Sequence, residues 1–423
     1  MISFDPPKPI ANMQNVLKMV AENMMRPVSR HFDEHDKEIP WDYINFIHMG
    51  MGNMGRSFSP APQNGESKNG DHKNGDGKKH PPIHYQNLIF MIEMLAWGDV
   101  GIYLCTPGGG LGAAAIEATG TPEQKQRFLA RFRAQKPAFG AMAMTEPQAG
   151  SDTSAIRTRA TLDRTTNEWV ITGEKIFVTG GKKSLVDTDG LVVVWATIDP
   201  NAGRAGMRPF VVEAGTPGIR VEKTEHKMGI RASDTATLVL QDCRVPYENI
   251  LGSAEVVVRK DTEAGFKGAM KTFDATRPLV SASAIGVARA TVEMLKQLLT
   301  EQGIEIRYGL PRQKLTAIER DVIDMEVMVE SAWLLTIKAA WMADNGKSNP
   351  LEASMSKVKA GEIVNKITQK AVEIMGPLGY SRDSLLEKWF RDAKISDIYE
   401  GTGQINRLIV ARHVLGYSGR ELR

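Results

Sequence analysis

One glutamate, Glu400, is placed where its carboxylate could act as a general base. It lies in the run Ile398-Tyr399-Glu400-Gly401-Thr402-Gly403-Gln404, shortly after the charged stretch at 391–394. The neighbouring glycine has no Cβ and leaves space for a ligand, so this carboxylate could take a proton from carbon. An isolated acidic residue at a turn is more often a solvated surface residue, so this interpretation needs support from elsewhere in the chain.

Two upstream runs have the composition of a cofactor site. The first covers residues 142–152, where the apolar approach Met142-Ala143-Met144 leads into a turn with a glycine and hydroxyls. Backbone amides in such a turn suit an anionic or polar cofactor edge. The second covers residues 173–181 and reads as a short strand with Phe177 and Thr179 on one face. Those two side chains could flank a flat ring.

Together with Phe273-Asp274-Ala275-Thr276-Arg277-Pro278, these runs resemble the acyl-CoA dehydrogenase family of flavoenzymes in order and separation. The resemblance covers roughly residues 85 to 416. It implies FAD as cofactor, an acyl-CoA as substrate and Glu400 as the base that removes the α proton. A hydride would leave the β carbon for flavin N5 and give a trans-2-enoyl-CoA. The resemblance also implies an electron-transfer flavoprotein as electron acceptor and a homotetramer, or else a homodimer.

The same resemblance implies roles for residues around the base. Cofactor contacts are implied at Met144, Thr145, Gly150, Ser151, Phe177, Thr179, Arg307, Tyr308, Glu373, Gly376, Thr402 and Gln404. Substrate contacts are implied at Ser151, Asp274, Arg277, Tyr399 and Gly401. The thioester oxygen would bind the Glu400 backbone amide and a flavin ribityl hydroxyl. Burial beside an acyl chain is expected to raise the pKa of Glu400, and Arg277 to temper that rise.

The chain departs from the family pattern at three positions. Many members carry Arg-x-x-Phe-Gly where this chain has Glu305-Ile306-Arg307-Tyr308-Gly309. Either Arg307 substitutes for the missing arginine in reaching the flavin of a neighbouring subunit, or that contact is lost. A paired glycine has become Gly376-Pro377, and a usual glutamine has become Glu373. The effect of these departures on FAD affinity and subunit packing stays open.

Composition predicts a soluble globular protein. The 423 residues with 42% hydrophobic content can bury a large core and exceed one ordinary domain. The excess of 53 basic over 50 acidic residues is too small for a nucleic-acid-binding protein. Two cysteines, Cys105 and Cys243, without a CxxC pair argue against a disulfide framework or a metal site. No export signal and no apolar run of about 18 residues is present, so a cytoplasmic location without membrane insertion is expected.

The pattern along the chain predicts an α+β multidomain fold. A helical N-terminal domain is expected at 1–136, with a Lys/Asn/Gly-rich insert at about 57–82. That insert is a flexible surface loop or, less favoured, a docking element. A middle domain at 137–256 is expected to be an antiparallel β-barrel or sandwich, because the alternation at 235–240 suggests one covered and one partly exposed face.

The remaining segment, 257–423, is expected to form a C-terminal four-helix bundle. Apolar residues recur at helical spacing in two stripes, at Ile318, Val322, Met325, Val329 and Ala332 and at Ala360, Val364, Ile367, Ala371 and Ile374. Pro278 suits the first turn of a helix, and Gly303 and Asn349-Pro350 supply breaks between helices.

Two other motifs are assigned no cofactor. The run His31-Phe32-Asp33-Glu34-His35 has HxxEH spacing, but it lacks an evident third ligand and is better explained as a solvated helix face, so no metal is predicted. The glycine-rich run at 108–113 fits GxGxxA but lacks the second strand and acidic residue of a dinucleotide site. A tight turn or a helix-packing site is preferred there.

Two rival functions stay open. An acyl-CoA oxidase would use the same chemistry and pass electrons to O2. A non-catalytic flavoprotein of the same fold would bind nucleic acid or a protein partner, with the lysine-rich insert as its support. The acyl group is undetermined, and branched, aromatic and long chains all remain possible.

Overall fold

The structure is a computed structural model that describes residues 6, 8–53, 83–256, 264–417 and 421. The insert predicted at about 57–82 lies outside the described residues. Helices come first, strands follow, and helices return towards the C-terminus. The α+β class is therefore confirmed, whereas the domain boundaries at 136/137 and 256/257 stay predictions.

The described residues include six α-helices before the strands and six after them. The first six are α1 Lys8–Val20, α2 Ser29–Glu34, α3 Trp41–Asn53, α4 His84–Tyr103, α5 Gly110–Thr119 and α6 Pro122–Leu129. The last six are α7 Ala264–Glu301, α8 Ala317–Asp344, α9 Pro350–Met375, α10 Pro377–Tyr380, α11 Leu386–Ala393 and α12 Gly403–Leu415.

Local sequence sets many of the helix ends. Thr121 and Thr316 precede α6 and α8 and form capping boxes with Gln124 and Glu319. In each box the threonine hydroxyl accepts a hydrogen bond from the backbone N–H three residues later, and the side chain of that later residue accepts one from the threonine N–H. Asn349 precedes α9, whose first residue is proline, as the sequence predicted. Gly376 ends α9 with a positive φ of 54°.

The long helices α7, α8, α9 and α12 form the bundle that the two apolar stripes predicted. Val322, Met325 and Ala332 of α8 are buried in one core with residues of α7 and α9. The expectation for Pro278 was wrong, because this residue lies inside α7 and not in a first turn. An internal proline removes one backbone hydrogen bond at a cost of about 3 kcal/mol. Packing of α7 against α4, α8 and α9 outweighs that cost.

Seven strands of the described residues form one curled sheet. They are β1 Gly140–Ala143, β2 Arg159–Asp163, β3 Glu168–Thr179, β4 Leu191–Thr197, β5 Met207–Glu213, β6 Ile219–Thr224 and β7 Thr235–Pro246. The order is β1-β4-β2-β3-β7-β6, and β5 pairs with β4. Pairing is mostly antiparallel, as expected, but β1 runs parallel to β4.

The expected alternation of covered and exposed residues at 235–240 was wrong. All of these residues are buried except Val239, which is half-buried. The Thr237 hydroxyl donates to Glu225 Oε1 at 3.0 Å, and the Glu225 N–H donates to the Thr235 carbonyl oxygen, which extends the pairing of β6 with β7. Polar side chains can lie inside here because they find such partners.

Buried charges join the N-terminal helices to α11. Lys388 donates to Asp99 at 2.7 Å and to Asp392 at 2.6 Å, and all three side chains are buried. Asp33 is also buried and accepts from Arg391 at 2.5 Å. The interpretation of the His31–His35 run as a solvated helix face is therefore wrong for Asp33, which is a packing residue of the interdomain contact. His31 of the same run instead contacts Glu38 at the surface.

The glycines at 109 and 112 pack α5 against its neighbours. A Cβ on Gly112 would lie 2.8 Å from the Ala141 carbonyl oxygen of β1, and one on Gly109 would overlap with Ala113. The helix-packing interpretation of this run is confirmed. Among the described residues, none of the helices combines the length and apolar character that a membrane crossing requires.

Candidate active site

Glu400 lies on a tight turn between α11 and α12 and has an unusual backbone conformation. Its φ is +57°, and Gly401 follows with φ +89°. A left-handed conformation is strained for a residue with a side chain and persists only when the surroundings impose it. The turn therefore holds the carboxylate in a set direction.

A hydroxyl and two cations surround the Glu400 carboxylate. Thr276 of α7 donates its hydroxyl to Glu400 Oε2 at 2.8 Å. Burial raises the pKa of Glu400, and the Thr276 hydrogen bond and the charges of Arg277 and Lys357 oppose that rise without cancelling it. The expected raised pKa and the tempering by Arg277 are both confirmed. The sequence analysis missed Thr276 as a partner, although it lies in a quoted motif. Glu400, Thr276, Arg277 and Lys357 are called the base cluster below.

Arg277 is 3% exposed and donates to Asp274 Oδ1 at 2.7 Å. Its Nε atom is buried and has no hydrogen-bond partner among the described residues. Burial lowers the pKa of Arg277, and Asp274 and Glu400 oppose that effect. A buried donor without an acceptor is costly, so this group is suited to a negatively polarised ligand atom.

Lys357 of α9 is a site residue that the sequence analysis missed. It is 1% exposed, and its Nζ donates to the Ser396 carbonyl oxygen at 2.6 Å and towards the Gly401 carbonyl oxygen at 3.4 Å. Burial lowers the pKa of Lys357 to about 8, against the raising effect of Glu400 and Asp397. The sequence contained an indication that Lys357 is buried, because it shares one face of α9 with the apolar residues Ala353, Ala360 and Val364. A lysine on such a face is rarely buried without a partner.

The cofactor turn, defined here as residues 144–151, follows β1 and is fixed by a buried ion pair. Lys175 Nζ donates to Glu146 Oε1 at 2.7 Å and to the Met144 carbonyl oxygen at 3.0 Å. Glu146 also accepts from the backbone N–H groups of Arg157 at 2.6 Å and Thr158 at 3.0 Å. Glu146 and Lys175 lie within the two runs at 142–152 and 173–181, but residue type alone did not indicate that they pair.

The charge state of this pair follows from its contacts. Burial alone would raise the pKa of Glu146, but Lys175 and the backbone donors outweigh it and the pKa is lowered. Burial lowers the pKa of Lys175 to about 8 despite its acidic partner. The pair is ionised at neutral pH and ties the cofactor turn to β3.

Phe177 and Thr179 lie at the end of β3, next to the cofactor turn. Ile176 donates its N–H to the Thr145 carbonyl oxygen at 2.9 Å, which joins the two segments. Phe177 has φ +56° at an irregularity in the pairing with β7, and its side chain is 61% exposed. An exposed phenyl ring on strained backbone is expected where a flat ligand covers it.

An apolar contact joins the cofactor turn to the base cluster. Phe273, one helical turn before Thr276 on α7, packs against the buried group of Met144, Ala149 and Trp195. The structure therefore brings together Met144, Thr145, Asp274, Arg277, Tyr399, Glu400 and Gly401. Gly150 and Ser151 are exposed beside them on the cofactor turn.

The other predicted cofactor residues have partners in the helical bundle. Arg307 donates to Glu319 at 2.6 and 2.8 Å, and Tyr308 donates to Glu326 at 2.8 Å. Glu373 pairs with Lys370 at 2.7 Å. These contacts belong to α8 and α9 within one chain, so a contact with FAD stays a prediction for these residues. Thr402 caps α12 through the Ile405 N–H, and Gln404 is exposed in the first turn.

Comparison with known proteins identifies the family. The model "Acyl-CoA dehydrogenase, C-terminal domain" matches residues 263–415, and "Acyl-CoA dehydrogenase, middle domain" matches residues 141–243. The chain is 40% identical over 301 residues to acryloyl-CoA reductase (NADH) from Anaerotignum propionicum, covering 71% of this chain and 72% of that protein. The chain belongs to the acyl-CoA dehydrogenase family.

Two solved structures agree with this assignment. Butyryl-CoA dehydrogenase from Megasphaera elsdenii matches with a TM-score of 0.80 and 29% identity over 98% of this chain and 100% of that one. A chain in the structure described as the electron transferring flavoprotein of Acidaminococcus fermentans matches with a TM-score of 0.80 and 31% identity, again over 98% and 100%. As a member of this family, the protein is an FAD-dependent oxidoreductase that acts on CH–CH groups.

The residues present fit FAD. The exposed Phe177 ring offers an apolar face, and the Thr179 hydroxyl follows two residues later on the same strand. Gly376 has open space where a Cβ would point, and its φ of +54° favours glycine. Phe177, Thr179, Met144 and Thr145 are the residues that would hold the flavin ring.

Proposed function

We propose that the protein catalyses the α,β-dehydrogenation of an acyl-CoA thioester, with Glu400 as the base. The observation that carries this proposal is the Glu400 carboxylate on a strained turn, hydrogen-bonded to Thr276 and flanked by the cations Arg277 and Lys357. A buried carboxylate with a raised pKa is a stronger base than a solvated one.

The proposed reaction breaks two C–H bonds. Glu400 accepts the α proton, and bound FAD supplies the acceptor for the hydride that leaves the β carbon. The product is a trans-2-enoyl-CoA, and the carboxyl of Glu400 holds the proton. Negative charge develops on the thioester oxygen as the α proton leaves. The Glu400 backbone amide is proposed as the donor to that oxygen, and the Arg277 charge favours the same polarisation.

Cofactor roles are proposed for Met144, Thr145, Gly150, Ser151, Phe177, Thr179, Thr402 and Gln404, and substrate roles for Ser151, Asp274, Arg277, Tyr399 and Gly401. The cofactor turn and β3 end support the flavin assignments, since a buried ion pair holds both segments in place.

The electron acceptor is proposed to be an electron-transfer flavoprotein. The structural match to a chain described with the electron transferring flavoprotein of Acidaminococcus fermentans supports this kind of partner. A second candidate is the reverse reaction, reduction of a short enoyl-CoA, because a relative at 40% identity is named acryloyl-CoA reductase (NADH). The same base cluster would then return the proton to the α carbon.

A homotetramer, or else a homodimer, is proposed, and an apolar groove of about 450 Å³ on the bundle supports contact between copies of the chain. Residues of α8, α9 and α12 line it, among them Leu335, Met355, Val358 and Val410. Val414 and Leu415 at its edge are 61% and 60% exposed. Apolar surface of this kind on a soluble protein marks an interaction site, and a second copy of the chain is the proposed occupant.

The test of the function is anaerobic mixing of the FAD-loaded protein with a panel of acyl-CoAs of different length and branching. We expect loss of the oxidised-flavin absorbance with at least one acyl-CoA, and a rate lower by about 10² to 10⁴ or more in Glu400→Gln. The matched control is Glu330→Gln, an exposed glutamate on α8.

Unchanged bleaching in Glu400→Gln would remove Glu400 from the mechanism. Three further assays distinguish the candidate activities. A dehydrogenase turns over with an electron-transfer flavoprotein, an oxidase forms peroxide under air, and a reductase oxidises NADH in the presence of an enoyl-CoA.

A further inference from the structure

Lys357 is a buried cation that the proposed proton transfer does not itself use. It lies on α9, is 1% exposed, and reaches the turn that carries Glu400. Burying an ammonium group is costly unless it is paired and hydrogen-bonded. Its position therefore needs a compensating interaction with that turn.

The contacts of Lys357 bracket the turn. One acceptor, the Ser396 carbonyl oxygen, lies four residues before Glu400, and the other, the Gly401 carbonyl oxygen, lies directly after it. Asn406 of α12 also donates to the Gly401 oxygen at 2.8 Å. These bonds hold both ends of the 396–401 segment, in which Glu400 has φ +57°.

The charges facing Lys357 come from several elements. Glu400 and Asp397 are the acidic groups that interact with it, and Arg277 of α7 is the second cation. The Tyr399 ring lies 5.7 Å from Nζ. Tyr103 of α4 faces Glu400 from the other side, and Asp274 engages Arg277. Arg277 lowers the pKa of Glu400 more than Lys357 does, and Lys357 is the one of these two cations that also donates hydrogen bonds to the backbone of the turn.

We propose that Lys357 is a positioning residue for the base, whose ammonium group both holds the 396–401 turn and keeps Glu400 ionised near neutral pH. This inference rests on the proposed function, in which the ionised carboxylate accepts the proton. The lowered pKa of Lys357, about 8, is consistent with a dry site in which each charge has a large effect on the other.

Three substitutions separate the charge from the hydrogen bonds. Lys357→Gln keeps a donor without the charge, Lys357→Met removes both, and Lys357→Arg keeps the charge with a larger head group. A merely structural lysine would give the same pH dependence in all variants that fold. A lysine that sets the charge state of Glu400 gives a shift in Lys357→Gln and Lys357→Met, with rescue in Lys357→Arg.

Two measurements are made on the FAD-loaded full-length protein across pH. The first is the single-turnover rate of flavin bleaching by the best acyl-CoA of the panel. The second is infrared titration of the Glu400 carboxyl, taken as the wild-type spectrum minus that of Glu400→Gln. The second measurement needs no activity. Lys366→Met, an exposed lysine on the same helix, is the matched control.

Both midpoints are expected to rise by about one to two pH units in Lys357→Gln and Lys357→Met. A nearby positive charge lowers the pKa of a carboxylate by about that amount, and these variants remove the charge. Lys366→Met is expected to leave them unchanged. Identical midpoints in wild type and Lys357→Gln overturn the inference, even if Lys357→Met fails to fold.

The two proposals fail differently. If no acyl-CoA bleaches the wild-type flavin while the infrared midpoint still moves in Lys357→Gln, the proposed function is wrong and the charge effect of Lys357 stands. If wild-type bleaching depends on Glu400 but neither midpoint moves, the inference about Lys357 alone is wrong.

Discussion

The buried ion pair between Lys175 and Glu146 is expected to stabilise the cofactor turn more than any surface pair in the protein. Lys175→Met removes the ammonium and leaves a carboxylate that is 3% exposed, without its cation. It also removes the donor to the Met144 carbonyl oxygen, a bond that contributes about 1 kcal/mol. The backbone donors of Arg157 and Thr158 remain and prevent a still larger loss.

Removing one partner of a buried pair costs about 3–5 kcal/mol. Since 1.4 kcal/mol is a factor of ten, the folding equilibrium of the turn is weakened by about two to four powers of ten. The double variant Glu146→Leu/Lys175→Met leaves no unpaired charge, so its cost is expected to be well below the sum of the two single costs.

The assay is urea unfolding followed both by circular dichroism and by retention of FAD. Two probes are needed because a multidomain protein can unfold in more than one step. We expect Lys175→Met to release FAD at a lower urea concentration than wild type. The control is Lys223→Met, because the Lys223 side chain is 61% exposed and its pair with the half-buried Glu225 contributes about 0–1 kcal/mol. The reasoning is refuted if Lys175→Met and Lys223→Met behave alike, or if the single effects add up to that of the double variant.

Two further predictions concern stability. The folded-state pKa of Glu400 is raised above its ordinary 4.5, so the ionised carboxylate destabilises the fold as pH rises through that folded-state pKa. Glu400→Gln should therefore melt at a higher temperature than wild type at pH 7, and the gap should close below pH 4.5; a gap that stays constant with pH contradicts this. Gly112→Ala places a Cβ 2.8 Å from the Ala141 carbonyl oxygen and should cost about 1–3 kcal/mol, measured by thermal unfolding. Gly50→Ala, a helix position with open space, should be neutral or stabilising, and equal melting of the two glycine variants would contradict the packing argument.

Sequence periodicity predicted the elements well where local pattern and packing agree. The stripes at 318–332 and 360–374 became buried faces of α8 and α9, and the segment at 235–240 lies in β7. Prediction failed where a distant element changed the outcome. Pro278 lies inside a helix because three helices pack around α7, and Thr237 of β7 is buried with Glu225 as its hydrogen-bond partner.

The sequence by itself determined the order of the motifs and the types of the elements. It also indicated Glu400 as the candidate base and Arg277 as the cation beside it. Those features depend on residue type and short spacing. Only the tertiary structure decided which groups surround the base. Thr276 is 124 positions from Glu400, and Lys357 reaches Ser396 across 39 positions. A helical repeat shows which face of α9 is buried, but it does not show what that face meets. In the sequence, Lys357 is only a charged residue within an apolar stripe. The tertiary structure shows that the turn at 396–401 packs against it. The direction of the Glu400 pKa follows from the folded surroundings, since burial raises it and the neighbouring cations lower it, and both act through distance in space and not through separation along the chain.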